Sequence, residues 1–124
     1  MDEALIWGGG VYTVSLIVFH VFFWRIFNWP ESLAPLEYLN RATMQVLNIS
    51  LTFIFFIFAY ISFAHTDELL NTGLGRALLV LISLLWLFRA VLQLAFYKWR
   101  HKASVALTCF FLLGSFLYGL PVIA

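Results

Sequence analysis

The chain has 124 residues, of which 64% are hydrophobic and only 10% charged, with a formal net charge of +1. Its mean hydropathy of +0.97 lies far above that of a soluble domain and places the chain in lipid. Four spans of about 20 residues use nearly all of it, so no separate soluble domain, no nucleic-acid surface and, with one cysteine, no internal disulfide is expected.

Apolar runs cover residues 5–25, 42–64, 75–97 and 104–123, each long enough for a hydrocarbon core of roughly 30 Å at about 1.5 Å per residue. The first has an acidic start (Asp2, Glu3), and Trp24 and Arg25 follow it where a signal peptide would carry small residues, so a retained helix is expected. The connection FNWPESLAP (27–35) contains the breakers Asn28, Pro30 and Pro35. Ser32 is the expected cap of the second helix, which begins by residue 37 with Glu37 and Arg41 as an i,i+4 pair. HTDELLNTGLG (65–75) turns at Gly73 and Gly75, and KWRHKA (98–103) is so short that the last two helices must be antiparallel neighbours.

Orientation follows from the basic residues. Arg25, Arg41, Lys98, Arg100 and Lys102 flank the first and third connections, against Arg76 alone at the second, which puts those two connections in the cytoplasm. Trp7, Trp24, Trp29, Trp99 and Tyr118 fall near the membrane interfaces, as amphipathic rings prefer. The expectation is an all-α integral membrane protein: one domain over 1–124, an antiparallel bundle of four transmembrane helices (about 5–25, 37–64, 75–97 and 104–123), both termini extracytoplasmic, in a bacterial inner membrane.

Polar residues inside the spans fall in stripes. Helix two carries Arg41, Gln45, Asn48 and Thr52 on one face; helix three carries Trp86, Arg89, Gln93 and Tyr97; helix one carries Thr13, His20 and Trp24. His20, Gln45, Asn48, Gln93 and Arg89 all lie about 6–12 Å from the cytoplasmic ends of their helices, in one layer. Arg89, in the middle of SLLWLFRAVLQLAFYKWRHK (83–102), costs at least about 2.5 kcal/mol in hydrocarbon, so it should face polar groups or water. The candidate binding set is therefore Arg89, His20, Gln45, Asn48 and Gln93, with Arg41 at the edge. No Asp or Glu lies within a span, the nearest being Glu31 and Glu37, which invites an outside anion: a lipid headgroup, a small solute or a partner's carboxylate. The plainer reading is that Gln45, Asn48, Thr52 and Gln93 only glue helices, at about 0.6 kcal/mol per interaction, and that Arg89 snorkels to the headgroups.

Other chemistries find little footing. A haem held by His20 needs a second histidine at the same depth, whereas His65 lies at the opposite face and His101 in the third connection, leaving only a partner chain to supply one. Cys109 stands alone, no metal-ligand spacing or phosphate loop is present, and the glycines form no GxxxG pair. No cofactor and no catalytic residue is expected.

The segments NRATMQVLNI (40–49) and LLWLFRAVLQ (84–93) together resemble a pattern of small four-helix inner-membrane proteins of bacteria. The resemblance covers helices two and three and implies the membrane fold, without an activity to carry over. Fluoride channels and small multidrug transporters share the length and helix count, but their signature residues are absent; the first helix has no membrane glutamate. Three functions fit the sequence. The foremost is a non-catalytic accessory subunit or small oligomer whose polar layer binds an anionic lipid headgroup or a partner subunit's carboxylate, its partners being membrane lipids and other subunits or itself. The second is a channel or carrier for a small anion or polar solute. The third is an enzyme acting on a lipid or quinone, with His20 as base and Arg89 stabilising negative charge.

Overall fold

A computed structural model describes residues 2–96 and 102–123, except for the side chain of residue 103. Among these residues the regular secondary structure is all helical, with no strand: α1 (Asp2–Val21), α2 (Phe23–Ile26), α3 (Trp29–Ser32), α4 (Tyr38–Ala64), α5 (Thr66–Asn71), α6 (Gly73–Phe96) and α7 (Lys102–Ile123). Four of them, α1, α4, α6 and α7, are long and apolar enough to cross a membrane. Tyr97, Lys98, Trp99, Arg100 and His101, to which the sequence reading gave stripe, interface and loop positions, lie outside the described residues.

The connections are more structured than their breakers suggest. α1 gives way at Phe22 to the single turn of α2, and Asn28, just before α3, lies in the left-handed region (φ 51°), a conformation Asn tolerates better than most residues. The Asn28 amide then donates to Glu31 at 2.8 Å. Ser32 does not cap α4: its hydroxyl donates back to the Phe27 carbonyl at 2.9 Å, and α4 starts six residues later, after an extended Glu37. Arg41 turns to the Leu36 carbonyl (3.3 Å) and the Tyr38 ring rather than to Glu37. Thr72 starts α6, its hydroxyl accepting the Gly75 N–H at 2.9 Å, as a cap residue does for the third helical position.

The long helices stand in the order α4, α1, α7, α6, with each neighbouring pair packed backbone to backbone. Glycine sets how closely α1 and α7 approach. A Cβ at Gly9 would sit 2.6 Å from the Tyr118 ring, and one at Gly114 would sit 2.5 Å from the Tyr12 ring. Each helix therefore seats the other's tyrosine on a glycine. At this end of the molecule Tyr118 is fully buried and joins three helices: its hydroxyl lies 2.8 Å from Ser62 Oγ on α4 and 3.1 Å from Thr13 Oγ1 on α1. Ser83 ties α6 to α7 by donating to the Ser115 carbonyl at 2.8 Å, and Arg76 donates to the Val122 carbonyl at 3.0 Å.

Candidate functional site

Moving along the bundle from Tyr118, α4 and α6 draw together through stacked rings and then separate. Trp86 of α6 lies between Phe55 of α4 (centroids 5.6 Å apart, 28° between planes) and Phe111 of α7 (5.9 Å, 3°), with Tyr12 of α1 edge-on at 5.5 Å. Beyond this stack a cleft of about 960 Å³ opens, its walls drawn from α1, α4, α6 and α7 together with the short α2 and α3, and almost wholly apolar. Phe19, Phe23, Leu51, Leu85 and Phe110 are among its lining, and Ser15, His20, Arg89, Gln93 and Ser104 supply polar groups.

The polar corner is held in place from behind. Arg89 Nη1 donates to Gln93 Oε1 at 3.1 Å, and the buried Gln93 Nε2 donates to Ser104 Oγ at 3.2 Å. The guanidinium also lies over the face of Phe111, 4.5 Å from the ring centre, which is cation–π geometry. Arg89 and Gln93 sit one turn apart on α6, so both side chains reach the same wall. The charge is thus spread over a fixed, partly aromatic cradle.

His20 faces the cleft from α1. Its Nδ1 is 2.8 Å from the Leu16 carbonyl, which can only accept, so Nδ1 carries a proton. The neutral ring then has a lone pair at Nε2, and the residue is among those lining the cleft. Phe23 stacks on the imidazole at 4.5 Å and Phe55 meets it edge-on at 5.1 Å, so its orientation is fixed on two sides.

The remaining candidates lie elsewhere. Asn48 is buried between α1 and α4, where its Nδ2 donates to the His20 carbonyl at 2.9 Å, just before the chain breaks at Phe22. A carbonyl near a helix break needs such a donor in an apolar layer. Gln45 accepts from Trp24 Nε1 at 3.0 Å and donates to the Arg41 carbonyl at 3.2 Å, tying α4 to α2. Arg41 stays with its own helix start. Among the six candidates, then, His20, Arg89 and Gln93 line the cleft, whereas Gln45, Asn48 and Arg41 do not. Ser104 and Phe111 complete the corner and were not singled out from sequence. Ser104 had a signal: it is the first residue after the short third connection, at the start of the helix that must pack against the one carrying Gln93.

Three buried polar atoms have no hydrogen-bond partner among the described residues: Tyr12 Oη, Asn48 Oδ1 and Trp86 Nε1. All three are sealed within side-chain packing, so they represent a local loss of stability rather than open binding points. Among the described residues no group of three His, Cys, Asp or Glu side chains is placed to hold a metal ion. In comparisons with known proteins, no family model, curated protein or solved structure matches the chain.

Proposed function

We propose that this chain is a non-catalytic, multi-pass integral membrane protein of a bacterial inner membrane, an accessory subunit or small oligomer, whose cleft binds a membrane amphiphile. The amphiphile's polar head takes hydrogen bonds from Arg89, and its tail lies along the apolar walls. The observation that carries this reading is the joining of one cationic, braced corner to a large and otherwise apolar cleft. A partner subunit's carboxylate would use the corner alone; an amphiphile uses both parts. The head must be rich in acceptor oxygens, as an anionic lipid headgroup or the ring oxygens of a quinone are.

The same reading has four helices crossing in alternating sense with both termini outside. Supporting it, Gln93 pairs with Ser104 and Ser83 with Ser115 about the third connection, Trp24 meets Gln45, and a Cβ at Gly10 would meet Phe63. The basic residues at the first and third connections set the direction. The Tyr118 hub favours a blind cleft over a through-path, since its hydroxyl contacts fill the bundle at the other end.

Native mass spectrometry of the protein extracted gently from its membrane, compared with Arg89→Gln, tests the proposal. The expected result is an amphiphile-sized adduct on the wild type that is lost from the variant. A bare protein in both, or an adduct equally abundant in both, overturns it.

A further inference from the structure

Resting on the amphiphile reading, we infer that the head bound in the cleft is that of an isoprenoid quinol, with one ring hydroxyl donating to His20 Nε2 and the opposite ring oxygen accepting from Arg89. Three observations lead here.

The first is depth. In the span expected from sequence over residues 75–97, Arg89 lies eight residues from the cytoplasmic end, about 12 Å along the helix axis. A phospholipid phosphate belongs to the headgroup region outside the hydrocarbon core and would have to carry its charge that far inward. A quinol head is uncharged and meets no such penalty.

The second is shape. The walls beside the corner are aromatic, with Phe23, Phe55, Trp86, Phe110 and Phe111 all lining the cleft. Their faces stack largely on one another and on Arg89, His20 and Tyr12, so what they offer a planar aromatic head is mainly edge-to-face contact, which a phosphate or a fatty-acid carboxyl does not make. The rest of the lining is aliphatic enough to take a branched hydrocarbon tail.

The third is hydrogen-bond polarity. Arg89 can only donate, and neutral His20, with its Nδ1 proton already committed to Leu16, can only accept at Nε2. The two ends of the site are therefore unlike. A quinol satisfies both, because its hydroxyl groups donate as well as accept. The oxidised quinone has two acceptor oxygens, and one of them would face the His20 lone pair. The site accordingly selects the reduced form, and the inference is one of binding, with no electron transfer assigned to the chain.

The test is equilibrium binding of decylubiquinol, decylubiquinone and dioleoylphosphatidylglycerol to the purified full chain in detergent. Decylubiquinol is expected to bind about tenfold more tightly than decylubiquinone, the effect of about one net hydrogen bond. His20→Leu should abolish that preference by bringing the two affinities together, and His20→Gln, which keeps an acceptor, should restore part of it. Equal binding of the two ubiquinone forms by wild type overturns the quinol assignment, whether or not the variants fold. Binding of dioleoylphosphatidylglycerol that displaces decylubiquinol overturns it while leaving the amphiphile reading intact. No binding of any of the three overturns both.

Discussion

Tyr118 concentrates the hydrogen bonding of one end of the molecule in a single oxygen. Thr13 and Ser62 also reach their own helices, each with its hydroxyl 2.8 Å from a backbone carbonyl, at Gly9 and Phe58. Three hydroxyl protons therefore serve four short contacts, and losing the tyrosine hydroxyl leaves the other two groups satisfied. Tyr118→Phe should cost only about 0.6 kcal/mol, the usual worth of such a bond between membrane helices, whereas Tyr118→Ala should cost about 3–5 kcal/mol through the cavity it leaves. Unfolding by denaturing detergent, followed by circular dichroism, distinguishes these. Trp86 is the opposite case. Its indole N–H has no acceptor among the described residues, so Trp86→Phe should lose only packing area, and a loss above about 3 kcal/mol would mean the N–H is engaged after all.

At the scale of the helix, the sequence made some features readable and hid others for a physical reason. Four apolar runs announce four long helices, and residue spacing shows which polar groups share a face. Spacing does not say which neighbour that face meets. Gln45 and Asn48 share a depth with Arg89, yet α4 packs on α1 while α6 packs on α7, so these amides bond to Trp24 and to the His20 carbonyl. Nor does a run of apolar residues reveal a break such as the one at Phe22, which gives Asn48 its task. Asn48→Leu should destabilise the protein by about 1–3 kcal/mol by leaving the His20 carbonyl without that donor, and amide exchange should rise locally around residues 19–24.

The interlocked glycines are likewise invisible to a GxxxG search, because each one faces a tyrosine instead of another glycine. Gly9→Ala and Gly114→Ala should each cost about 1–3 kcal/mol by overpacking the α1–α7 contact. Gly73 has open space around it, so Gly73→Ala should be neutral or stabilising by up to about 1 kcal/mol. Melting curves of the three variants side by side check the contrast.

For the whole molecule, the proposed topology predicts the behaviour of fusions. A reporter active only outside the cytoplasm, such as alkaline phosphatase, should work when joined at the C-terminus, and a fluorescent protein that matures only in the cytoplasm should stay dark there. The reverse pattern would invert the orientation drawn from the basic residues.

The order α4, α1, α7, α6 also has a mechanical side. A row of four helices has two ends, and here they are α4 and α6, bridged by the stacking of Phe55 on Trp86. One end of the bundle is pinned by the Tyr118 hydroxyl and the two tyrosines seated on glycine; toward the other, α4 and α6 are joined to each other by that ring contact, worth about 0.5–1.5 kcal/mol beyond its buried area. The molecule is thus built like a pair of jaws with a stiff joint and a light catch. Widening the mouth strains the catch and leaves the joint alone.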